Sequence, residues 1–562
     1  MRHPTRVTPL LVFLCLLAAC APGQTSSAGT SAQPDTAQPQ ARKVLVYGYP
    51  KDFFSFDQYT GAVTAGQLKS PAQELAGDYL ARTDSFGVPH PSISPTLPTF
   101  DDGTWRVNPD GTMDLTWKLR PNVKWHDGAP FSSADVLFGY QVFSDPTFQT
   151  AKDPGAKALI TSVTAPDELT VVMHWKQTYA TANTAPGLDP WPAHLLAETY
   201  RTDKQALLNT PYMGADYIGL GPYRVNRIEP GTEVDLLRFD DYFLGRPPLD
   251  EILLKFIADD NIRVVQTLAG QLDAAAPPMS LSSAATIQQQ WQGTGNQVIA
   301  QTTTAIINVK PQFRPELARP MNGLVQLNVR KALLHGIDRQ QLADIAGNGF
   351  APVTDSWVLP DDPDRAELEA GLPRYPYDLA RAQQLLADAG WSKGSDGVLM
   401  HTSGERFDAV FSIRPDGYDQ VPLIIQNDWK ALGVNAELYF ISQNAVSDRK
   451  FLSQATFATL SKSGSCCANI LTSEITSDAN NWSTANNGGY SNPRVDDLYA
   501  QFASTIDPKK RNAVQNTLLH EVYSDLANLP LYVMPVAWLL RDGVSPTMTE
   551  TWKVFNWDKQ AP

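Results

Sequence analysis

The first 42 residues of this sequence cannot join a packed core, and they fix where the rest of the chain must fold. Arg2 and Arg6 precede a short apolar run that ends at Cys20. A basic start followed by a short apolar stretch and small residues is the anatomy of an export signal. The run is too short to stay in a bilayer as a spanning helix. Residues 1–19 are therefore expected to be a signal peptide. The next stretch, APGQTSSAGTSAQPDTAQPQAR, is rich in Ser, Thr, Gln, Pro and Gly. It cannot bury enough apolar surface to fold, and residues 20–42 read as a flexible tether.

Leu17-Ala18-Ala19-Cys20 resembles a bacterial lipobox, which implies cleavage before Cys20 and lipidation of that residue. The expected location is extracytoplasmic, lipid-anchored to the bacterial membrane on the outer or periplasmic side. Of the four cysteines, Cys15 leaves with the signal and Cys20 carries the lipid. Only the adjacent Cys466 and Cys467 remain in the folded part. They either bridge to each other or stay as two buried thiols, because outside the cytosol thiols tend to oxidise but a ring of neighbours is rarely formed. No metal-spaced cluster of Cys or His is present, so no metal and no cofactor are expected.

At 562 residues a single core stops growing, so more than one lobe is expected. The formal charge is −14 and no Lys/Arg-rich run occurs, which argues against nucleic acid as a partner. Strands and helices mix without strict alternation, giving an α/β fold with split segments. Alternation marks a first strand in KVLVYGY and a meander through Trp105 to Leu119, continued at Val123 and Trp125. Asn492-Pro493 and Asp507-Pro508 read as N-cap and first-turn proline pairs of two late helices.

The stretch LRPNVKWHDGAPFSSADVLFGY, Leu119 to Tyr140, tests for catalysis. His126 is expected on the polar side of a short strand. Asp127-Gly128 makes a turn, and Ser132 caps a helix with Asp135 as its capping-box partner. No third polar group is in place to orient His126 as a base. The stretch is scaffold, and no enzyme activity is expected. Gly219 and Gly221 fall in a hairpin segment, where they allow close backbone packing rather than forming a dinucleotide fingerprint.

Five ordered stretches carry a resemblance: the one just described, GLGPYRVNRIEPG with FDDYFLGRPPLDEI, VRKALLHGIDRQQLADI, YDLARAQQLLADAGW and NNGGYSNPRVDDLYAQ. Together they resemble the family 5 solute-binding proteins of ABC importers, from about Val44 to the C-terminus. The resemblance implies a two-lobed, periplasmic-binding-protein-like clamshell of type II with an extra subdomain. The implied division gives lobe I residues 43–65, 188–308 and 529–562, the subdomain residues 66–187, and lobe II residues 309–528. It also implies a lipid-anchored monomer that hands a small peptide or peptide-like solute to an ABC permease in the membrane. The alternative is a binding-protein fold recruited as a non-transport regulator or envelope-assembly factor.

Peptide binders of this family usually hold the peptide's ammonium with a Trp and a nearby acidic residue. Here the corresponding stretch, Ala455 to Glu474, lacks both, and Cys467 falls close to the acid's place. The candidate ligand-binding residues are Phe53, Phe54 and Tyr59 after the first strand, Trp357 in a proline-flanked loop, Arg414 and Tyr418 in IRPDGY, Cys466 and Cys467, and Trp482 and Tyr490 around the NNGG loop. Arg414 is the candidate for a ligand carboxylate, because its planar fork matches one.

Overall fold

In a computed structural model, the described residues are 42–50, 55–56, 71–84, 87–148, 154–277, 279–415, 420–442, 444–446, 448–464, 466–545 and 557–559. The signal, the tether as far as Ala41, Cys20, Phe53, Phe54, Tyr59 and Tyr418 lie outside them.

A ten-stranded mixed sheet runs through both lobes. Its spine is two long antiparallel strands, Gln297–Pro311 and Leu529–Leu540. Their outer halves, Gln297 to Thr302 against Pro535 to Leu540, join Ala274–Ala275, Val44–Tyr49, Glu251–Phe256, Glu233–Arg238 and Tyr223–Glu229. Their other halves, Ile306 to Val309 against Leu529 to Val533, join Ala458–Ser463, Asp408–Ile413 and Asn435–Phe440. The register slips between Thr302 and Ile306. The slip is stitched by Thr303, whose hydroxyl donates to Met534 O (2.7 Å) and accepts from Ala305 N–H (3.0 Å). A bulge of this kind bends a strand and raises its local twist, so the sheet changes direction where it changes lobe.

Each half-sheet has its own core. On one side Leu45, Tyr47, Leu236, Ile252 and Leu254 pack together. On the other, Val329, Leu333, Leu386, Phe411, Ile425 and Trp429 do. The helices that cover the second core start and stop on local signals. Asp378 accepts from Arg381 N–H to cap Leu379–Asp388. Gly433, at φ +99°, ends Val421–Leu432, and a Cβ there would press on Gly397 O at 2.8 Å.

The subdomain is a four-stranded antiparallel sheet of Trp105–Val107, Met113–Lys118, Thr170–Trp175 and Ile160–Asp167. Leu115 and Trp117 point inward and are fully buried, while Lys118 faces out. Its apolar cluster draws on positions 80 to 220. The capping box at Ser132 and Asp135 forms as expected, and the Asp135 carboxylate also accepts from Ala193 N–H (3.0 Å).

Two local expectations are corrected. Val123 to Trp125 is not a strand; one bridge, Lys124 to Pro130, is all that forms, because the chain turns back at Gly128 (φ +90°) with Trp125 N–H already bonded to Ala129 O. His126 is not on a polar face but buried. Its Nδ1 accepts from Gly219 N–H (3.1 Å) and its Nε2–H donates to Gly221 O (2.9 Å). The partners fix the neutral tautomer, and burial pulls the imidazole from its ordinary 6.5 down to about 4. The glycines are needed as expected: a Cβ on Gly219 or Gly221 would run into the backbone of Leu75 and Ala76. His126 thus joins the subdomain to lobe I.

Candidate functional site

A cleft among the described residues lies in lobe II, at the end of the long strand Gln297–Pro311. It is lined by Lys310, Pro311, Gln312, Arg414, Leu452, Ala455, Ala458, Thr459, Ser461, Asn487 and Gly488. Sheet topology explains the grouping. Lys310 and Pro311 end one long strand and pair with Thr459 and Ala458 on the neighbouring strand. Asp408–Ile413 runs parallel to that neighbour, so Arg414 follows at a strand's carboxyl end, the usual place for ligand contacts in such sheets.

The back wall is held by polar side chains that sequence reasoning missed. Gln312 is nearly inaccessible; its amide donates to Ser453 O (3.1 Å) and Ala455 O (2.7 Å) and accepts from Arg314 N–H (3.1 Å). Arg314 reaches Asn487 O (2.6 Å) and Thr476 O (3.1 Å). Burial lowers its guanidinium, with Glu316 opposing. Gly488 and Gly489 make room, since a Cβ on the first would strike Pro311 O and one on the second would meet Arg314 Cγ at 2.7 Å. No signal marks Gln312 or Arg314 in the sequence, because each acts on segments more than 130 positions away.

Among the described residues the lining has two cationic side chains, Lys310 and Arg414, each with a partner within the protein, and no carboxylate. Thr459 and Ser461 add hydroxyls, and Asn487 Oδ1 is buried without a hydrogen-bond partner. This set can receive an anionic or strongly polar group. Among the described lining residues no carboxylate faces an ammonium, and Asn487 Oδ1 is an acceptor for an N–H or O–H donor of the solute.

Of the sequence candidates among the described residues, Arg414 alone is among the lining residues. Trp357, Cys467 and Tyr490 come together elsewhere, in a buried apolar cluster of lobe II with Ile306, Leu518, Tyr523 and Val533. Trp357 lies against the Tyr523 ring at 5.6 Å, and Tyr490 against Phe313 at 5.0 Å. Cys467 is fully buried in that cluster, with the adjacent Cys466 at its edge. Trp482 sits on a turn in the left-handed region (φ +56°), donating to Asp478 Oδ1 (2.9 Å), with the Lys450 ammonium 5.2 Å over its ring. Lys450 belongs to Arg449–Ser453, the helix that supplies Leu452 to the cleft.

The model for bacterial extracellular solute-binding proteins, family 5, matches residues 99–466. The chain belongs to this family. The oligopeptide-binding protein AppA of Bacillus subtilis is 22% identical over 78% of this chain and 76% of its own length. The structure of AppA with a nonapeptide matches at a TM-score of 0.68 and 19% identity, covering 93% of this chain and 100% of that one. NikZ from Campylobacter jejuni, in complex with Ni(L-His), matches at a TM-score of 0.72 and 19% identity, covering 92% and 99%. The two-lobed fold is thereby that of the family 5 binding proteins. Among the described residues no helix is long and apolar enough to cross a membrane.

Proposed function

We propose that this family member is a lipid-anchored, extracytoplasmic substrate-binding protein that delivers a peptide or peptide-like solute to an ABC importer. Residues 1–19 act as the signal, Cys20 carries the lipid, residues 20–42 are the tether, and the mature protein works as a monomer against a membrane permease. Lobe I takes residues 43–65, 188–308 and 529–562, the subdomain 66–187, and lobe II 309–528. The lobes turn about the bulge at residues 303–305, so that the ends of the long strands past it, 306–308 and 529–533, move with lobe II's half of the sheet.

The observation that carries the reading is the charge of the lobe II cleft. Among the described residues Lys310 and Arg414 line it with no carboxylate beside them, and each keeps a partner within the protein that a solute would share or displace. A carboxylate leaving water needs counter-charges and donors, or burial is costly. Arg414 supplies a bidentate fork and Lys310 a point charge. The solute is therefore anchored here by a carboxylate end or another anionic group. That agrees with the missing Trp and acid in Ala455 to Glu474.

The experiment is a thermal-shift screen of the purified protein against peptides, sugars and metal chelates, because a ligand that binds only the folded state raises the melting temperature. Peptides with a free carboxylate are expected to raise it, and their C-terminal amides are expected to raise it less. A response to sugars alone, or to none of the three classes, contradicts the proposal.

A further inference from the structure

Lobe II is also touched by the subdomain, away from the paired long strands. The subdomain is fastened to lobe I by His126 on Gly219 and Gly221 and by the buried Asp78 carboxylate, which accepts from Tyr242 (2.8 Å) and Arg82 (2.8 Å). After Trp175 the chain leaves the subdomain sheet, and residues 176–186 reach across to lobe II. There they meet the junction between two helices, Pro493–Ser504 and Pro508–Asp525.

The contact is specific. Ala180 is 5% exposed, and lobe II answers both of its backbone polar groups. Its N–H donates to Ala503 O (2.9 Å), and its carbonyl accepts from Arg511 Nη1 (3.4 Å). Ile506, in the three-residue junction, packs against the subdomain's apolar cluster. Tyr179 is stacked on Trp175 at 5.1 Å, which anchors the reaching segment to the sheet it left. The Arg511 guanidinium is lowered by burial, with Asp364 opposing, so this charge has been taken partly out of water to make the contact.

Rotation about the bulge at residues 303–305 would carry the subdomain, with lobe I, away from Ala503, Ile506 and Arg511. We propose that this contact is a latch across the mouth of the clamshell, in which Arg511 and Ile506 are positioning residues that set how much of the solute-free protein is closed. A partly populated competent state scales apparent affinity by its population. The latch therefore tunes affinity for whatever solute binds, without touching it. Only that last consequence rests on the solute-binding reading; the latch itself does not.

The test uses the mature chain without added solute, as wild type, Arg511→Ala, Arg511→Lys and Ile506→Ser. Amide hydrogen exchange is followed by mass spectrometry, and the radius of gyration by solution scattering. In Arg511→Ala and Ile506→Ser, exchange across residues 176–186 is expected to rise about tenfold and the radius of gyration to increase, with the strand Thr170–Trp175 still protected. Arg511→Lys, which keeps a donor and a charge, is expected to recover most of the protection. Unchanged exchange at 176–186 or an unchanged radius overturns the latch. So does equal acceleration in Thr170–Trp175, which means a loosened subdomain rather than an opened mouth. If these results appear and no solute binds, the latch stands and the transport reading falls.

Discussion

Replacing His126 by Gln should make the protein less stable at pH 8 and more stable than wild type near pH 4. His126 is neutral in the fold, accepting from Gly219 N–H and donating to Gly221 O. A proton on Nδ1 would face the Gly219 N–H, donor against donor. Burial takes the imidazole from 6.5 to about 4. Between those values the unfolded chain binds a proton that the native chain refuses, so stability falls as pH falls. The loss is complete near pH 4 and flat below it. At ~1.36 kcal/mol per pH unit, it amounts to about 3 kcal/mol. Gln cannot titrate, but its amide fits the two glycine partners less well, at a cost of roughly 1–2 kcal/mol at every pH. The two stability curves should therefore cross between pH 4 and 6.5. Urea unfolding in half-unit steps from pH 4 to 8 measures both, and subtraction removes the carboxylates common to the two proteins. Parallel curves would refute the joint. So would a large loss of solute affinity in the variant with its pH 8 stability nearly intact, because that would make His126 a binding residue.

Other outcomes follow from the same contacts. Gly221→Ala sets a Cβ against the backbone of Leu75 and Ala76 and should lower stability by about 2 kcal/mol or more, read from urea midpoints. Gly128→Val strains a backbone at φ +90° and should cost about 1–2 kcal/mol without changing solute affinity. Cys20→Ser should move the protein from the membrane fraction to the soluble fraction or leave the signal uncleaved, as seen by mass spectrometry of the N-terminus.

What could be read from sequence was local. The capping box of Ser132 and Asp135, the Asn492-Pro493 and Asp507-Pro508 helix starts and the Gly219/Gly221 close approach each depend on a few neighbouring residues, and each formed. The cleft was legible only through Arg414. Lys310 looks like any strand residue until its pairing with Thr459 is known. Trp357 and Tyr490 resembled exposed loop aromatics, but helix Pro508–Asp525 brings Leu518 and Tyr523 over them and closes the cluster. His126 looked like a strand residue because Val123 and Trp125 alternate; tertiary contact with a glycine hairpin 93 positions away decided otherwise. The latch was invisible for the same reason, since Arg511 and Ala180 are 331 positions apart.

The central claim is that the lobe II cleft holds the anionic end of a peptide-like solute through Arg414 and Lys310. It is tested most directly by calorimetric titration of wild type, Arg414→Ala and Lys310→Ala with one peptide from the thermal screen and with its C-terminal amide. The account predicts that wild type prefers the free carboxylate by at least about tenfold, roughly 1.4 kcal/mol, and that Arg414→Ala removes most of that preference with its melting temperature unchanged. Equal binding of acid and amide by wild type, or a preference that survives both substitutions, contradicts it.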